Sequence, residues 1–340
     1  MRAFLVVLLT MAGAGLLPAA KTLEIYFVDV EGGQATLFVT PAGESMLIDT
    51  GWSGHNSRDA GRIAAVAKRA GIKAIDYLVV THFHEDHAGG VPQLFAKLPI
   101  RNFVDHGDSV EHDQHAKELY NAYNEYRAKG KHILAKPGET IPIKGMDVKV
   151  LSADGDEIES PLPGAGQANP ACAGSKLQAP DASENARSVG VLVTLGSFRA
   201  IDMGDLTWNK ERELVCPNNK AGKVDLYIVS HHGTESSSSP AFVQAIHPRV
   251  AIMDNGARKG GTIPAWQSIH SSPGIEDIWQ LHYSVAGGKE NNPPDTFIAN
   301  VDEAGDEGNW IRATVHPDGS FTVYNARNKY TKTYAAQSPS

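Results

Sequence analysis

The chain has 340 residues, 41% of them hydrophobic and 21% charged, and its formal net charge is −8. This composition predicts one large or two smaller folded domains and excludes a disordered or collagen-like chain. The excess of 39 acidic over 31 basic residues argues against a broad nucleic-acid-binding surface. Two cysteines are too few for a disulfide-dense scaffold or a multi-cysteine zinc module, whereas 14 histidines are present.

The first 20 residues have the order of a secretory signal peptide. Arg2 supplies a positive charge, residues 3–17 are almost entirely apolar, and residues 18–20 are small residues suited to cleavage before Lys21. The apolar run is shorter than the roughly 18 residues that indicate a membrane-spanning helix, so we expect cleavage rather than an uncleaved anchor. No second apolar segment of that length follows. We therefore expect an exported mature chain, periplasmic or extracellular, without a transmembrane segment.

The rest of the chain alternates between strand and helix patterns. Short apolar or alternating runs predict strands, and apolar residues three and four positions apart predict helices. In chain order, the predicted strands are 23–30, 35–40, 45–48, 77–80, one that ends at 105–106, 148–151, 189–195, 198–201, 226–229, 250–253, 311–315 and 320–324. The predicted helices are 58–70, 89–97, 114–129 and 239–246. The alternation predicts an α/β protein.

The two cysteines lie in different parts of the second half of the chain. Cys172 lies in an irregular loop at 154–183 that is rich in proline, glycine and alanine, and Cys216 follows a short helical stretch. In an oxidising compartment these residues would form a disulfide bond. Two free buried thiols are the alternative.

Four residues with metal-binding side chains follow the predicted strand 77–80. They are His82, His84, Asp86 and His87. In an extended segment residues i and i+2 point the same way, so His82 and His84 would face one ion, and a turn would direct Asp86 and His87 towards a second. Imidazole nitrogens and carboxylate oxygens suit Zn²⁺ and other borderline divalent metals. The segment therefore predicts a metal site, with surface histidines in a polar loop as the alternative.

Two later strands also end in residues of this type. Asp205 follows strand 198–201, and the pair His231 and His232 follows strand 226–229. A carboxylate such as Asp205 can bridge two ions, although a turn aspartate is the alternative. Ions about 3.5–4 Å apart share a water molecule that loses a proton near neutral pH and attacks the substrate.

Five segments resemble the metallo-β-lactamase superfamily, in the branch of the ComEC competence-protein hydrolase domain. They are residues 28–35, 47–51, 82–87, 203–206 and 228–234, within a resemblance that covers residues 23–256. The resemblance implies an αββα sandwich with a metal site at one edge of its two sheets. We accordingly divide the chain into a signal peptide (1–20), a hydrolase domain (21–256) and a C-terminal extension packing on the same domain (257–340).

The resemblance also implies a set of six metal ligands. His82 and His84 would hold the first ion, Asp86, His87 and His231 the second, and Asp205 would bridge the two. Asp86 and Asp205 would be the catalytic carboxylates. His231 is preferred over His232 because it comes first after the strand.

Five further residues are predicted to act behind the ligands or on the substrate: Asp49, His106, Asn185, His232 and Asn255. Asp49 would orient a ligand or its loop. Many members of the superfamily carry a third histidine for the first ion about 20 residues before the bridging aspartate. Asn185 stands there in this chain, either as a weaker ligand or as a substrate contact.

These residues and the resemblance predict an exported metal-dependent hydrolase with two divalent ions, Zn²⁺ in the first place and Mn²⁺ as the alternative. The resemblance implies a phosphodiester or nucleotide-type substrate, and the negative charge disfavours long nucleic acid. A hydrolase of a lactam, lactone or other carboxyl derivative is one alternative, and a non-catalytic binding protein on the same fold is another. The basic segment 258–261 either meets a phosphate or is a solvated loop, and we favour the solvated loop.

Overall fold

Two β-sheets pack face to face in the computed structural model, which describes residues 22–305 and 307–337. The predicted signal peptide lies outside the described residues. Within those ranges the strands are β1 (Leu23–Phe27), β2 (Thr36–Val39), β3 (Ser45–Ile48), β4 (Ile75–Val79), β5 (Ile100–Asp105), β6 (Lys131–Leu134), β7 (Asp147–Ala153), β8 (Asp156–Glu157), β9 (Gly190–Leu195), β10 (Phe198–Asp202), β11 (Leu226–Ile228), β12 (Val250–Met253), β13 (Asp277–His282), β14 (Ile298–Asn300), β15 (Ile311–Val315), β16 (Phe321–Asn325) and β17 (Thr331–Tyr334). The α-helices are α1 (Arg58–Arg69), α2 (Glu85–Ala88), α3 (Val91–Phe95), α4 (Gln114–Arg127), α5 (Trp208–Val215), α6 (Pro240–Ile246) and α7 (Ile263–His270).

The strand order brings the first and the last of the described strands into one sheet. The first sheet runs β17-β16-β15-β1-β2-β3-β4-β5-β6, and the second runs β14-β13-β12-β11-β10-β9-β7-β8. β3, β4 and β5 are parallel in the first sheet, and β10, β11 and β12 are parallel in the second. Parallel neighbours end at the same edge of their sheet, so the loops that follow them meet there.

The hydrophobic residues divide into three layers. Successive side chains of a strand point to opposite faces, and in β1 Ile25 and Phe27 enter the core between the sheets while Tyr26 enters the layer beneath the helices. Helices α1, α3 and α4 cover the outer face of the first sheet, and α5, α6 and α7 cover that of the second. The predicted αββα sandwich is therefore confirmed.

The residues after position 256 are built into both sheets. β13 and β14 extend the second sheet beyond β12, and β15 pairs antiparallel with β1 through the register Leu23 to Val315. The segment 257–340, which we expected as an extension packing on the domain, thus supplies strands to each half of the sandwich. Its removal would expose the edge of β1 and of β12.

The irregular segment between β8 and β9 is fastened to the second helical layer. Cys172, in a 3₁₀ turn over Pro170–Gly174, forms a disulfide bond with Cys216, which follows α5 directly. The sequence alone is compatible with either a disulfide bond or two free thiols, and the structure contains the disulfide bond. Among the described helices, none has both the length and the apolar character that crossing a bilayer requires.

Candidate metal site

The candidate ligands lie at the edge where the parallel strands of both sheets end. The loop after β4 carries His82 and His84, the short helix α2 that follows carries Asp86 and His87, the turn after β10 carries Asp205, and the turn after β11 carries His231 and His232. Because the sheets stack face to face, these three connections converge from both halves of the sandwich.

Four buried side chains form a compact group, which we call the central cluster: Asp86, His87, Asp205 and His232. One ligand atom from each lies within 4.8 Å of all the others. His87 Nε2 is 3.2 Å from both Asp86 Oδ2 and Asp205 Oδ2. His232 Nε2 is 3.1 Å from Asp86 Oδ2 and 3.5 Å from Asp205 Oδ1. Two carboxylates and two imidazoles at these distances can surround one divalent cation.

A second group of imidazoles adjoins the central cluster across Asp205. His82 Nε2 lies 3.0 Å from His84 Nδ1. Asp205 Oδ2 lies 3.9 Å from His82 Nε2 and 3.3 Å from His231 Nε2. The carboxylate of Asp205 therefore contacts histidines of both groups, which is the position that a bridging ligand requires.

The structure revises the choice between the two consecutive histidines. His232, which we had ranked second, lies in the central cluster, whereas His231 contacts Asp205 from the other group and has its Nδ1 2.9 Å from the Ser236 hydroxyl. Both histidines have left-handed backbone conformations, with φ of 53° and 55°. Order after the strand therefore did not indicate which imidazole would reach Asp86.

Asp49 supports His87 from behind. Its Oδ2 lies 2.7 Å from His87 Nδ1, and its carboxylate accepts hydrogen bonds from Thr81 N (2.8 Å) and Thr81 Oγ1 (2.6 Å). Burial raises the pKa of Asp49 and outweighs the lowering effect of His87 and Thr81. The carboxylate lies beside a proposed ligand whose ring it can orient.

Two glutamates fix the loop of His84, and the sequence analysis identified neither. His84 Nε2 lies 3.2 Å from Glu111 Oε1, which leaves His84 Nδ1 facing His82. Glu184 accepts hydrogen bonds from Phe83 N (3.0 Å) and Val110 N (2.7 Å). Glu184 thus connects the backbone between His82 and His84 to a segment that follows β5.

Three other predicted residues lie around the histidines. His106 Nε2 is 2.9 Å from Glu184 Oε2, so this histidine supports Glu184. Asn255 Nδ2 donates to the His282 carbonyl (2.8 Å) and ties β12 to β13. Asn185 lies in a 3₁₀ turn over Glu184–Arg187, and within the described ranges its buried Oδ1 has no hydrogen-bond partner.

Unpartnered polar atoms indicate that the central cluster fits a cation. In the described part of the chain, Asp205 Oδ1, His232 Nδ1 and both carboxylate oxygens of Asp254 are buried without a hydrogen-bond partner. A buried polar atom left in that state costs about 1–3 kcal/mol. Asp254 Oδ1 lies 3.5 Å from His232 Nδ1, so a small closing movement would pair them and leave Nε2 as the metal ligand.

The electrostatics of the cluster point the same way. Burial raises the pKa of Asp86 and of Asp205, but the neighbouring histidines outweigh it and hold both pKa values well below the ordinary range. Burial lowers the pKa of His87 and of His232, but the surrounding carboxylates raise both well above the ordinary range. The field of these carboxylates therefore favours positive charge at this position.

The pKa of His82 is shifted in the opposite direction from those of His87 and His232. Burial lowers its pKa well below the ordinary value, and the charge of His87 adds to that effect. The neutral imidazole is the form that binds a metal. His82 is therefore ready to act as a ligand without first losing a proton.

This combination of an αββα sandwich with clustered histidines and carboxylates at the sheet edge defines a metallo-β-lactamase fold. A family model described as the metallo-β-lactamase superfamily matches residues 28–172 of the chain. The match includes Asp49 and the segment from His82 to His87 and ends before Asp205.

The relatives narrow the resemblance to ComEC-like competence proteins, which confirms the prediction from the sequence. The chain is 27% identical over 248 residues to ComE operon protein 3 of Bacillus subtilis, covering 68% of this chain and 28% of that protein. It is 24% identical over 237 residues to Recombination protein 2 of Haemophilus influenzae (69% and 24% covered). It is also 24% identical over 263 residues to Competence protein ComA of Neisseria gonorrhoeae (73% and 32%). The chain thus spans 24–32% of the length of these relatives.

Proposed function

We propose that this protein is an exported hydrolase with two metal ions that cleaves phosphodiester bonds in a small or nucleotide-type substrate. The observation that carries the proposal is the position of Asp205 between the central cluster and the pair His82 and His84. One carboxylate in contact with two groups of ligands is suited to a pair of ions.

The proposed ligand sets follow the contacts. Asp86, His87 and His232 would hold one ion, and His82, His84 and His231 would hold the other, with Asp205 shared. His231 would then take the place that a third histidine of the first ion fills in many members of the superfamily. Asn185, with its buried oxygen free of hydrogen bonds in the described structure, is left available to the substrate or to a water molecule.

Two bound Zn²⁺ ions, or Mn²⁺ as the alternative, would polarise the scissile bond and activate water for attack. The chain's own residues supply the geometry. Asp49 holds the ring of His87 and Glu111 holds that of His84, and Asp254 lies 3.5 Å from His232 Nδ1, where a small closing movement would pair the two. Such partners keep each imidazole in the tautomer and orientation that binding requires.

The substrate class is supported by the relatives and by the charge of the chain. Two of the relatives are named for competence and recombination, processes that concern DNA. The net charge of −8 would repel a long polyanion. A short oligonucleotide or a small phosphodiester satisfies both observations.

Metal analysis together with a substrate panel tests the proposal. The purified full-length protein should hold about two equivalents of metal and hydrolyse bis-p-nitrophenyl phosphate or short single-stranded DNA only when metal is present. Asp205→Asn should abolish this turnover, whereas the matched change Asp147→Asn, at an exposed residue at the start of β7, should not.

The other outcomes of the panel have distinct meanings. Metal-dependent turnover of nitrocefin or of lactones alone would replace the phosphodiester by a carboxyl derivative. Bound metal without turnover of any compound, or no bound metal, would favour a non-catalytic binding protein. Export is tested separately by N-terminal sequencing of the protein recovered outside the cytoplasm, where Lys21 should be the first residue.

A further inference from the structure

A basic side chain enters the central cluster from outside the proposed ligand sets. Lys259 Nζ contacts Asp86 Oδ2 and also lies 4.7 Å from the centroid of the Trp52 ring. The Lys259 side chain is 35% exposed, whereas that of Asp86 is 10% exposed. The ammonium group therefore lies at the boundary between the cluster and solvent.

The turn that carries Lys259 is fastened to the cluster by its backbone. Gly256 N donates to the Lys259 carbonyl (2.9 Å), and Gly261 N donates to the His232 carbonyl (2.9 Å). A Cβ atom on Gly260 would lie 2.0 Å from the same His232 carbonyl oxygen, so only glycine permits this approach. The fold thus determines the position of Lys259, and the expectation of a simple solvated loop is wrong for this residue.

Arg258, the adjacent residue, provides a contrast. Its side chain is 75% exposed and forms an ion pair with Glu303. Two basic residues next to each other in the chain therefore have different surroundings, one facing solvent and the other facing a proposed metal ligand. This difference also provides a matched control.

We propose that Lys259 anchors the negative charge of the substrate, so that this site takes phosphate esters. The inference rests on the proposed function, since it requires Asp86 to be a metal ligand. A divalent ion on Asp86 would neutralise the carboxylate that Lys259 contacts and would repel the ammonium group. Lys259 would then need a new anionic partner close to the ions.

Trp52 limits how far the ammonium group moves. A lysine within about 6 Å of an indole centroid is attracted by the negative face of the ring, and the Trp52 backbone is held by a hydrogen bond from Trp52 N to Asp59 Oδ2 (2.9 Å). The ammonium group would therefore stay at the mouth of the site when it leaves Asp86. A phosphate oxygen of a substrate on the ions would complete the charge balance, which a neutral lactone would not.

Phosphate binding to the metal-loaded full-length protein tests the inference. We expect Lys259→Gln to weaken the binding of inorganic phosphate, measured by calorimetry, by about 10–100-fold, as for loss of one charge-assisted hydrogen bond. The KM for bis-p-nitrophenyl phosphate should rise by a similar factor with kcat changed less. Lys259→Arg should retain most of the binding, and Arg258→Gln should match the wild type.

Metal content separates this inference from the proposed function. Lys259→Gln should retain its metal, and the metal-free variant should bind Zn²⁺ at least as tightly as the wild type because a competing cation has been removed. Unchanged phosphate binding in Lys259→Gln, loss of its metal, or equal losses in Arg258→Gln would overturn the anchor. Failure of the wild-type protein to bind metal would instead refute the proposed function on which the anchor depends.

Discussion

Asp49 Oδ2 lies 2.7 Å from His87 Nδ1, so a buried carboxylate holds the imidazole whose other nitrogen faces the central cluster. This contact favours the hydrogen of His87 on Nδ1, so Nε2 is the atom that would bind a metal once it has lost its own proton. Asp49 is itself held by two hydrogen bonds from Thr81, the residue before His82. The ligand segment and its support are therefore connected through one short stretch of backbone.

The first prediction concerns this support. Asp49→Asn should lower the metal affinity by about 10–100-fold, the usual effect of removing such a partner. Asn accepts the left-handed backbone conformation of residue 49, where φ is 59°, so the fold should persist. Competition with a chelator would measure the affinity and circular dichroism the fold. An affinity equal to that of an Asp147→Asn control would contradict the role of Asp49.

The second prediction assigns the consecutive histidines to different ions. His231→Ala and His232→Ala should each reduce the bound metal by about one equivalent, because each removes a ligand from one set. Combined with Asp86→Ala, His232→Ala should cause little further loss, since both residues belong to the same set. His231→Ala combined with Asp86→Ala should remove both equivalents.

The double variants decide between the two assignments. Metal analysis after exhaustive dialysis provides the measurement, and non-additive losses identify residues that act on one ion. If His231→Ala, rather than His232→Ala, proved redundant with Asp86→Ala, the original order of preference from the sequence would be restored. Ser236→Ala, which removes a contact of His231 without removing a proposed ligand, is the matched control.

The core of the site could be predicted because its chemistry is concentrated at strand ends. Residues 82–87 follow an apolar strand directly, and the period of the apolar residues locates that strand. Glu184 could not be found in this way because its bond to Phe83 N spans 101 positions. Lys259 was misjudged for a related reason. Its contact with Asp86 depends on how a glycine-rich turn packs on His232, which no local pattern shows.

The strands likewise divide into those that a local sequence pattern predicts and those that it does not. The long apolar strands around the inner core were predicted, whereas β6, β8, β13, β14 and β17 were not. β6 is largely exposed, and β13 mixes polar residues such as Gln280 with apolar ones although all but its first residue are buried. The polar residues of β13 are buried because the strand lies between two others in the second sheet. The burial of β13 therefore depends on neighbouring strands that reach it only on folding, and its own residue pattern does not show it.

The third prediction concerns the disulfide bond. Cys172 and Cys216 are separated by 44 positions, and closing a loop of that length stabilises a protein by about 4 kcal/mol in the chain-entropy model. The double variant Cys172→Ser/Cys216→Ser should lower the free energy of unfolding in urea by about 2–4 kcal/mol. The bond lies on the helical side of the second sheet, so metal content should not change. Loss of metal in the variant, or unchanged stability, would contradict this prediction.

The fourth prediction concerns Glu184 and the dependence of stability on pH. Burial raises the pKa of Glu184, but His106 and the backbone donors outweigh that effect and lower the pKa from 4.5 to about 2. A carboxyl with a lowered pKa contributes its full stabilisation above its unfolded-state pKa and loses it as the pH falls towards the folded-state value. The window for Glu184 is therefore pH 4.5 to 2.

A comparison of Glu184→Gln with the wild type isolates this contribution. The variant should be less stable by about 3 kcal/mol at pH 7, since each pKa unit corresponds to 1.36 kcal/mol. The difference should stay constant down to about pH 5 and shrink by about 1 kcal/mol at pH 3.5. Urea denaturation at each pH provides the measurement, and Glu125→Gln, at an exposed ion pair on α4, should show almost no difference from the wild type. If the Glu184→Gln difference stayed constant down to pH 3.5, the carboxylate would be stabilising the His84 loop through packing and not through its charge.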